Sequence, residues 1–193
     1  MPTLLRQLID WRRLHASCAV DAARPRRRLH RMKNITMTLL LALCFSAVSF
    51  GAAHKFPADN PVASVEPPTG WKTEDYENGV ELTSDDGEVY IAIEQTDAKN
   101  VEKSMDAAMK YLKTKGVSVD PDSIKKEETK ISDHDAVVIS WNGNDEEGPA
   151  KVQLMIVSLT DEQGALFIYW ASPEGEQNHQ KEVTAISQSL KKV

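Results

Sequence analysis

The sequence predicts an α+β fold with a mainly antiparallel sheet. Three observations point to it. Apolar and polar residues alternate over several short runs, which is the period of a strand buried on one face. Three late apolar runs are joined by short polar loops, a linkage that makes antiparallel neighbours. Two runs have helical spacing, but they do not recur as strand–helix–strand crossovers.

The elements follow in order. Residues 54–67 are expected to form an extended lead-in, because Pro57, Pro61 and Pro67 interrupt helix; within it "VASVE" suits a short strand. Residues 71–75 are expected as a strand. Val80 and Leu82 alternate with Glu81 and Thr83, Asp85-Asp86-Gly87 signals a turn, and Val89, Ile91 and Ile93 alternate with Tyr90, Ala92 and Glu94. Together these predict a hairpin. Residues 101–115 are expected as a helix, with Val101, Met105, Ala108 and Leu112 on one face, Met109 beside them, Asn100 as N-cap and Gly116 as the stop. "IKKEETKI" reads as a polar edge strand whose lysines discourage edge-to-edge pairing. Residues 135–141, 151–159 and 165–172 predict a three-stranded meander. The middle strand is apolar on both sides, with Val152, Leu154 and Ile156 on one and Met155, Val157 and Leu159 on the other, so it is expected to be central and covered on both faces. Residues 178–191 are expected as a last helix, with His179, Val183, Ile186 and Leu190 on one face.

Charge divides the chain in two. Residues 1–53 carry nine Lys/Arg against two Asp/Glu, a net of +7, whereas residues 54–193 carry fourteen Lys against 27 Asp/Glu, a net of −13. All eight arginines precede Met32, and both cysteines, Cys18 and Cys44, lie before residue 54. An acidic domain is repelled by phosphate backbones, so nucleic acid is not an expected partner. Without cysteine, residues 54–193 have no disulfide, thiolate metal site or cysteine nucleophile. A domain of about 140 residues buries roughly two-thirds of its unfolded surface and needs no covalent staple.

From Met32 the chain reads as a secretory signal peptide, residues 32–53. Lys33 supplies the positive start, residues 37–50 are apolar apart from Thr38, Ser46 and Ser49, and Gly51-Ala52-Ala53 offers small side chains to the peptidase. Cleavage after Ala53 would leave a periplasmic or secreted protein that meets the membrane through this segment alone. An uncleaved anchor would want about 20 apolar residues, and small residues fill the end of this stretch. A lipoprotein would want a small residue before its cysteine, where Leu43 precedes Cys44. A twin-arginine signal would use Arg26 to Arg28, but the "LHRMKN" that follows fits it poorly. Residues 1–31 are expected to be a non-native extension from an early start codon, with Met32 the true start.

Pro68-Thr69-Gly70-Trp71 heads the first strands, and the chain closes on "AISQSLKKV" with Ile186, Ser189 and Leu190. With the element order, these residues resemble the PsbP-like (PsbP/Mog-type) group, which includes the photosystem II extrinsic protein PsbP, a Ran-binding Mog protein and short exported bacterial proteins. The resemblance covers about residues 62–193, and residues 68–193 are expected to be one such domain. It implies an antiparallel sheet sandwiched between helices, an α/β/α arrangement. It also implies binding of other proteins; with the signal-peptide pattern and the lack of catalytic motifs, a non-catalytic module for a protein or envelope partner, with no cofactor, is expected. The longer N-terminal segment of photosynthetic PsbP has no counterpart here.

The candidate sites are sparse. "SDHDA" sets His134 between Asp133 and Asp135, all metal-ligand types. Neighbours on an extended chain point to opposite faces, however, and a polar turn entering a strand explains the motif as well. Asp145, Glu146 and Glu147 in "NGNDEEGP" lack the EF-hand pattern and suit a hairpin loop. "TSDDGE" suits a hairpin turn. His179 shares a face with apolar residues and reads as packing at the core boundary, or as a ligand. His54 beside a new N-terminal amine could bind copper. Trp141 and Trp170 are expected in the core, and Trp71 is open between core and groove. There is no G-x-S-x-G, S-x-x-K set, P-loop or G-x-G-x-x-G, so an enzyme is not expected. The alternative to a binding module is a metal-binding periplasmic protein using Asp133, His134, Asp135 or His179; a hydrolase ranks third.

Overall fold

The structure, a computed structural model, describes residues 48–193. The expected extension, residues 1–31, and most of the expected signal peptide lie outside the described residues. In chain order the elements are β1 (His54–Phe56), β2 (Ala63–Val65), β3 (Lys72–Tyr76), β4 (Gly79–Thr83), β5 (Val89–Asp97), α1 (Val101–Thr114), β6 (Ser118–Val119), a 3-10 turn (Pro121–Ser123), β7 (Lys125–Ile131), β8 (His134–Asn144), β9 (Pro149–Ser158), β10 (Gln163–Ala171), α2 (Pro173–Gln188) and β11 (Lys191–Lys192). An eight-stranded sheet runs β3-β4-β5-β10-β9-β8-β6, with β7 also paired to β8. Every pairing in it is antiparallel. The fold is thus the expected α+β arrangement.

Strand alternation divides the apolar side chains between two cores. On β10, Leu166, Ile168 and Trp170 face one core, which also takes Ala108 and Leu112 of α1. Ala165, Phe167, Tyr169 and Ala171 face the other, with Ile186 of α2. The middle meander strand β9 splits as the sequence predicts, Val152, Leu154 and Ile156 toward α1 and Met155 and Val157 toward α2. Helices therefore cover both faces of the sheet, the α/β/α arrangement that the resemblance implies. Trp71, Trp141 and Trp170 are all buried.

Local signals explain most boundaries. The Asn100 side chain accepts a hydrogen bond from the Lys103 N–H and caps α1. Strand β7 is paired on one side and exposed along nearly its whole length, as befits a lysine-rich edge. Ser132 and Asp133, both with positive φ, close the β7–β8 hairpin in the way a two-residue primed turn requires.

Two parts differ from expectation. Helix α2 begins at Pro173 and ends at Gln188, where the sequence pattern suggests 178–191. Proline fits the first helical position, and the Ser172 hydroxyl accepts from the Gly175 N–H. At the far end Lys191 and Lys192 leave the helix to pair with β2. Within residues 54–67, expected as a lead-in, β2 falls in the "VASVE" run expected as a short strand, but β1 departs from expectation, and the two join β11 in a second three-stranded sheet. Phe56, Ala63 and Val65 are fully buried in the α2-side core.

Candidate functional site

A row of side chains crosses the sheet on its α1 face. The register pairs Lys72 with Thr83, Thr83 with Tyr90, Tyr90 with Trp170, and Trp170 with Val152. Helix α1 covers the inner part of this face. Toward the β3–β4 edge the face stays open as a cleft of about 330 Å³. Its floor is Lys72, Thr83, Tyr90 and Trp170. The end of α1, with Tyr111 and Lys115, and the β8–β9 loop, with Asp145, Glu146 and Glu147, complete its lining, and Glu146 lies close to Gly116 just past α1.

Aromatic rings and charged pairs fix this shape. Tyr90 and Trp170 stack with centroids 5.1 Å apart and planes 7° from parallel. Tyr111 tilts against Trp170 at 6.2 Å and stacks on Tyr76 at 6.2 Å. The Tyr111 hydroxyl donates to Glu81 Oε1 at 2.8 Å, while Lys115 Nζ donates to Glu81 Oε2 at 2.9 Å. Lys115 Nζ also lies 5.3 Å from the Tyr111 ring centroid, within cation–π range. Burial, then the Glu81 hydrogen bond, pushes the Tyr111 phenol well above its ordinary pKa, so it stays a donor. Lys72 pairs with Glu74 at 2.6 Å. The Asp145 carboxylate accepts from the N–H groups of Glu147 and Gly148 and holds the loop closed.

A second cluster lies near the β4–β5 turn. His179 Nε2 meets Asp86 Oδ2 at 2.8 Å, and Nδ1 meets Glu182 one helical turn on. Asp86 is itself fixed, since its Oδ1 accepts from the Ser84 hydroxyl at 2.6 Å and the Glu88 N–H at 3.1 Å. Trp71 stands edge-on to the imidazole at 5.8 Å, and its buried Nε1–H has no hydrogen-bond partner among the described residues. Burial opposes charge on His179, but hydrogen bonds to Asp86 and Glu182 outweigh it and raise the pKa above its usual value. Hydrogen bonds from His179 and Ser84 hold the Asp86 carboxyl well below the usual carboxylate range. The result is an imidazole clasped by two carboxylates, which favour its protonated form.

The residues singled out in the sequence take different places. Asp135 is engaged by Lys130 across the β7–β8 pair at 2.8 Å. His134 opens β8 opposite Ile131. His54 is hydrogen-bonded to Asp75 at 2.6 Å. Among the described residues, the His/carboxylate group close enough to share an ion is Asp85, Asp86 and His179, with ligand atoms within 4.8 Å of one another. It includes His179 but none of Asp133, His134 or Asp135. No histidine nitrogen bonds a hydroxyl among the described residues; the Ser84 hydroxyl donates to Asp86, not to the imidazole.

Sequence reading missed the cleft. Its residues come from six separate segments, and no spacing links Lys72, Tyr90, Tyr111 and Trp170 before strand pairing aligns them. The His179–Glu182 pair has the i, i+3 spacing of helix neighbours and was legible; Asp86 was not.

No protein-family model and no curated protein matches the sequence. Solved structures do match in shape. LpqN, involved in cell envelope biogenesis of Mycobacterium tuberculosis, superposes with a TM-score of 0.50 and 10% identity, covering 74% of this chain and 91% of that one. The cyanobacterial PsbP protein CyanoP from Synechocystis superposes with a TM-score of 0.51 and 8% identity, covering 78% of this chain and 96% of that one.

Proposed function

The chain has the PsbP-type fold, and from that premise we propose that it is an exported, non-catalytic binding module for a protein or envelope partner. The observation that supports this most is the open cleft on the α1 face, with its aromatic floor and charged walls, beside the lack of any hydroxyl–histidine pair among the described residues. Export is supported by the signal-peptide pattern of residues 32–53 and accords with the envelope role of LpqN. Among the described residues no helix is long and apolar enough to cross a membrane. The module acts by holding its partner in the cleft, where fixed rings and charges need no rearrangement on binding.

Site-directed photocrosslinking tests this. A photoreactive phenylalanine analogue replaces Lys72 in the cleft or, as a control, Lys126 on the β7 edge. An adduct from the envelope fraction at Lys72 and not at Lys126 is the expected result. No adduct, or the same adduct at both positions, would sink the reading.

The proximity of Asp85, Asp86 and His179 favours a second reading, a divalent-cation site. Glu182 would orient the ring through Nδ1, as outer carboxylates do for metal-bound histidines, and the cation would displace the proton on Nε2. Calorimetric titration with zinc, calcium and copper separates the two. No heat and no change in melting temperature would remove the second.

A further inference from the structure

The cleft is not electrically balanced. Lys72 and Lys115, its two cations, are paired with Glu74 and Glu81. Asp145, Glu146 and Glu147 on the β8–β9 loop have no cationic partner among the described residues, which leaves the cleft three negative charges in excess. Asp145, Glu146 and Glu147 line the same cleft as Tyr90, and after burial the charges of Glu147 and Asp145 raise the Tyr90 pKa. Tyr90 is only half-buried, so its ring can still receive a guest.

The cleft also contains a pattern for that guest. At the end of α1 Lys115 sits over the Tyr111 ring and pairs with Glu81, a cation held by a ring and a carboxylate together. Tyr90, stacked on Trp170, and the 145–147 loop offer the same combination with the cation missing. A single metal ion does not suit the loop. Ligand atoms near enough to share an ion occur at Asp85, Asp86 and His179 among the described residues, not at Asp145, Glu146 and Glu147. Spread carboxylates fit cations spaced along a chain.

We propose that the cleft takes a lysine- or arginine-bearing segment of a protein partner, with its cations seated between the Tyr90 ring and the carboxylates of Asp145, Glu146 and Glu147. This rests on the binding-module reading and names the chemistry of its partner. A guanidinium or ammonium group over an aromatic ring is attracted by the ring's negative face. The net charge of −13 on residues 54–193 steers a basic segment toward the domain and speeds encounter. The cleft's own lysines repel it and so set its register, with cations toward the loop rather than toward Lys72 and Lys115.

Fluorescence anisotropy of a labelled hexa-arginine peptide tests the proposal on the chain from His54 onward. Binding is expected at low salt and should fall steeply as ionic strength rises past about 0.1 M. The double variant E146Q/E147Q, which keeps the Asp145 turn, should weaken binding about fivefold or more. Y90L should weaken it further at unchanged charge. E127Q/E128Q, the same charge change on the β7 edge, should have little effect. Equal weakening by both double variants would show a diffuse charge effect and overturn the proposal. So would binding of cellohexaose, a neutral sugar chain, without binding of hexa-arginine. An adduct at Lys72 that hexa-arginine does not displace sinks the basic-segment proposal and leaves the module reading standing; loss of the adduct itself sinks the module.

Discussion

His179 shows how a residue's role depends on what the fold brings to it. Read along the helix, it shares a face with Val183 and Ile186, and packing is the natural reading. In the fold each ring nitrogen meets a carboxylate. Its folded pKa is raised, so the protonated ring stabilises the fold. That contribution is full below the unfolded value of about 6.5 and is lost as pH rises through the higher folded value. Asp86 is lowered, so its contribution is full above about 3.9 and is lost as pH falls through the lower folded value. The clasp is therefore strongest between about pH 4 and pH 6.5. The thermal midpoint should fall as pH rises above about 6.5, and H179Q, which cannot be protonated, should lower the midpoint at pH 6 and flatten that fall. The same slope in both proteins would mean that the clasp adds nothing to stability.

At the scale of the element, α2 is placed by its first turn. Ser172 caps the helix, and its N–H donates to the Glu88 carbonyl at 3.2 Å, tying the helix start to the β4–β5 hairpin. Gly175 lies against that hairpin, where a Cβ would come within 2.7 Å of the Glu88 backbone oxygen. Glycine and proline here weaken the helical pattern in the sequence, which is why 173–177 did not read as helix. G175A should cost about 1–3 kcal/mol in urea unfolding. It should also shrink the pH dependence, because moving the helix start away from the hairpin parts His179 from Asp86. A loss under about 0.5 kcal/mol would show that the contact is loose. Strand elements were far easier to read: the β4–β5 hairpin and the meander follow directly from period-2 alternation, which assigns each side chain to a face.

For the whole molecule, the decisive boundary is where the domain begins. Residues 49–51 touch the domain through two backbone bonds, Gly51 N–H to the Pro67 carbonyl at 2.7 Å and Thr69 N–H to the Ser49 carbonyl at 2.8 Å. Phe50 is largely exposed. Among the described residues, cleavage after Ala53 would remove these bonds and the one from the Thr69 hydroxyl to the Ser49 hydroxyl but no member of either core, so the chain from His54 should unfold in one cooperative transition. A chain starting at Pro68 should not. It lacks Phe56, Val62 and Val65, all buried in the α2-side core. At roughly 1.5–3 kcal/mol per buried side chain, their loss is on the order of the 5–15 kcal/mol that holds a domain together. Circular dichroism in the aromatic region separates the two chains, and a sharp spectrum from the Pro68 chain would contradict this boundary.

The sequence by itself determined the order of the main elements, the face to which each strand residue belongs, the edge character of β7 and the acidity of the domain. These depend on near neighbours in the chain, whose spacing fixes direction. The tertiary structure alone decided that β1 and β2 belong to the core, that Asp86 meets His179, and that Lys72, Tyr90, Tyr111 and Trp170 share one cleft. Asp86 and His179 are 93 residues apart, and the cleft is assembled by strand register. Contacts of that range are set by the free energy of closing both cores at once, and no local pattern records it.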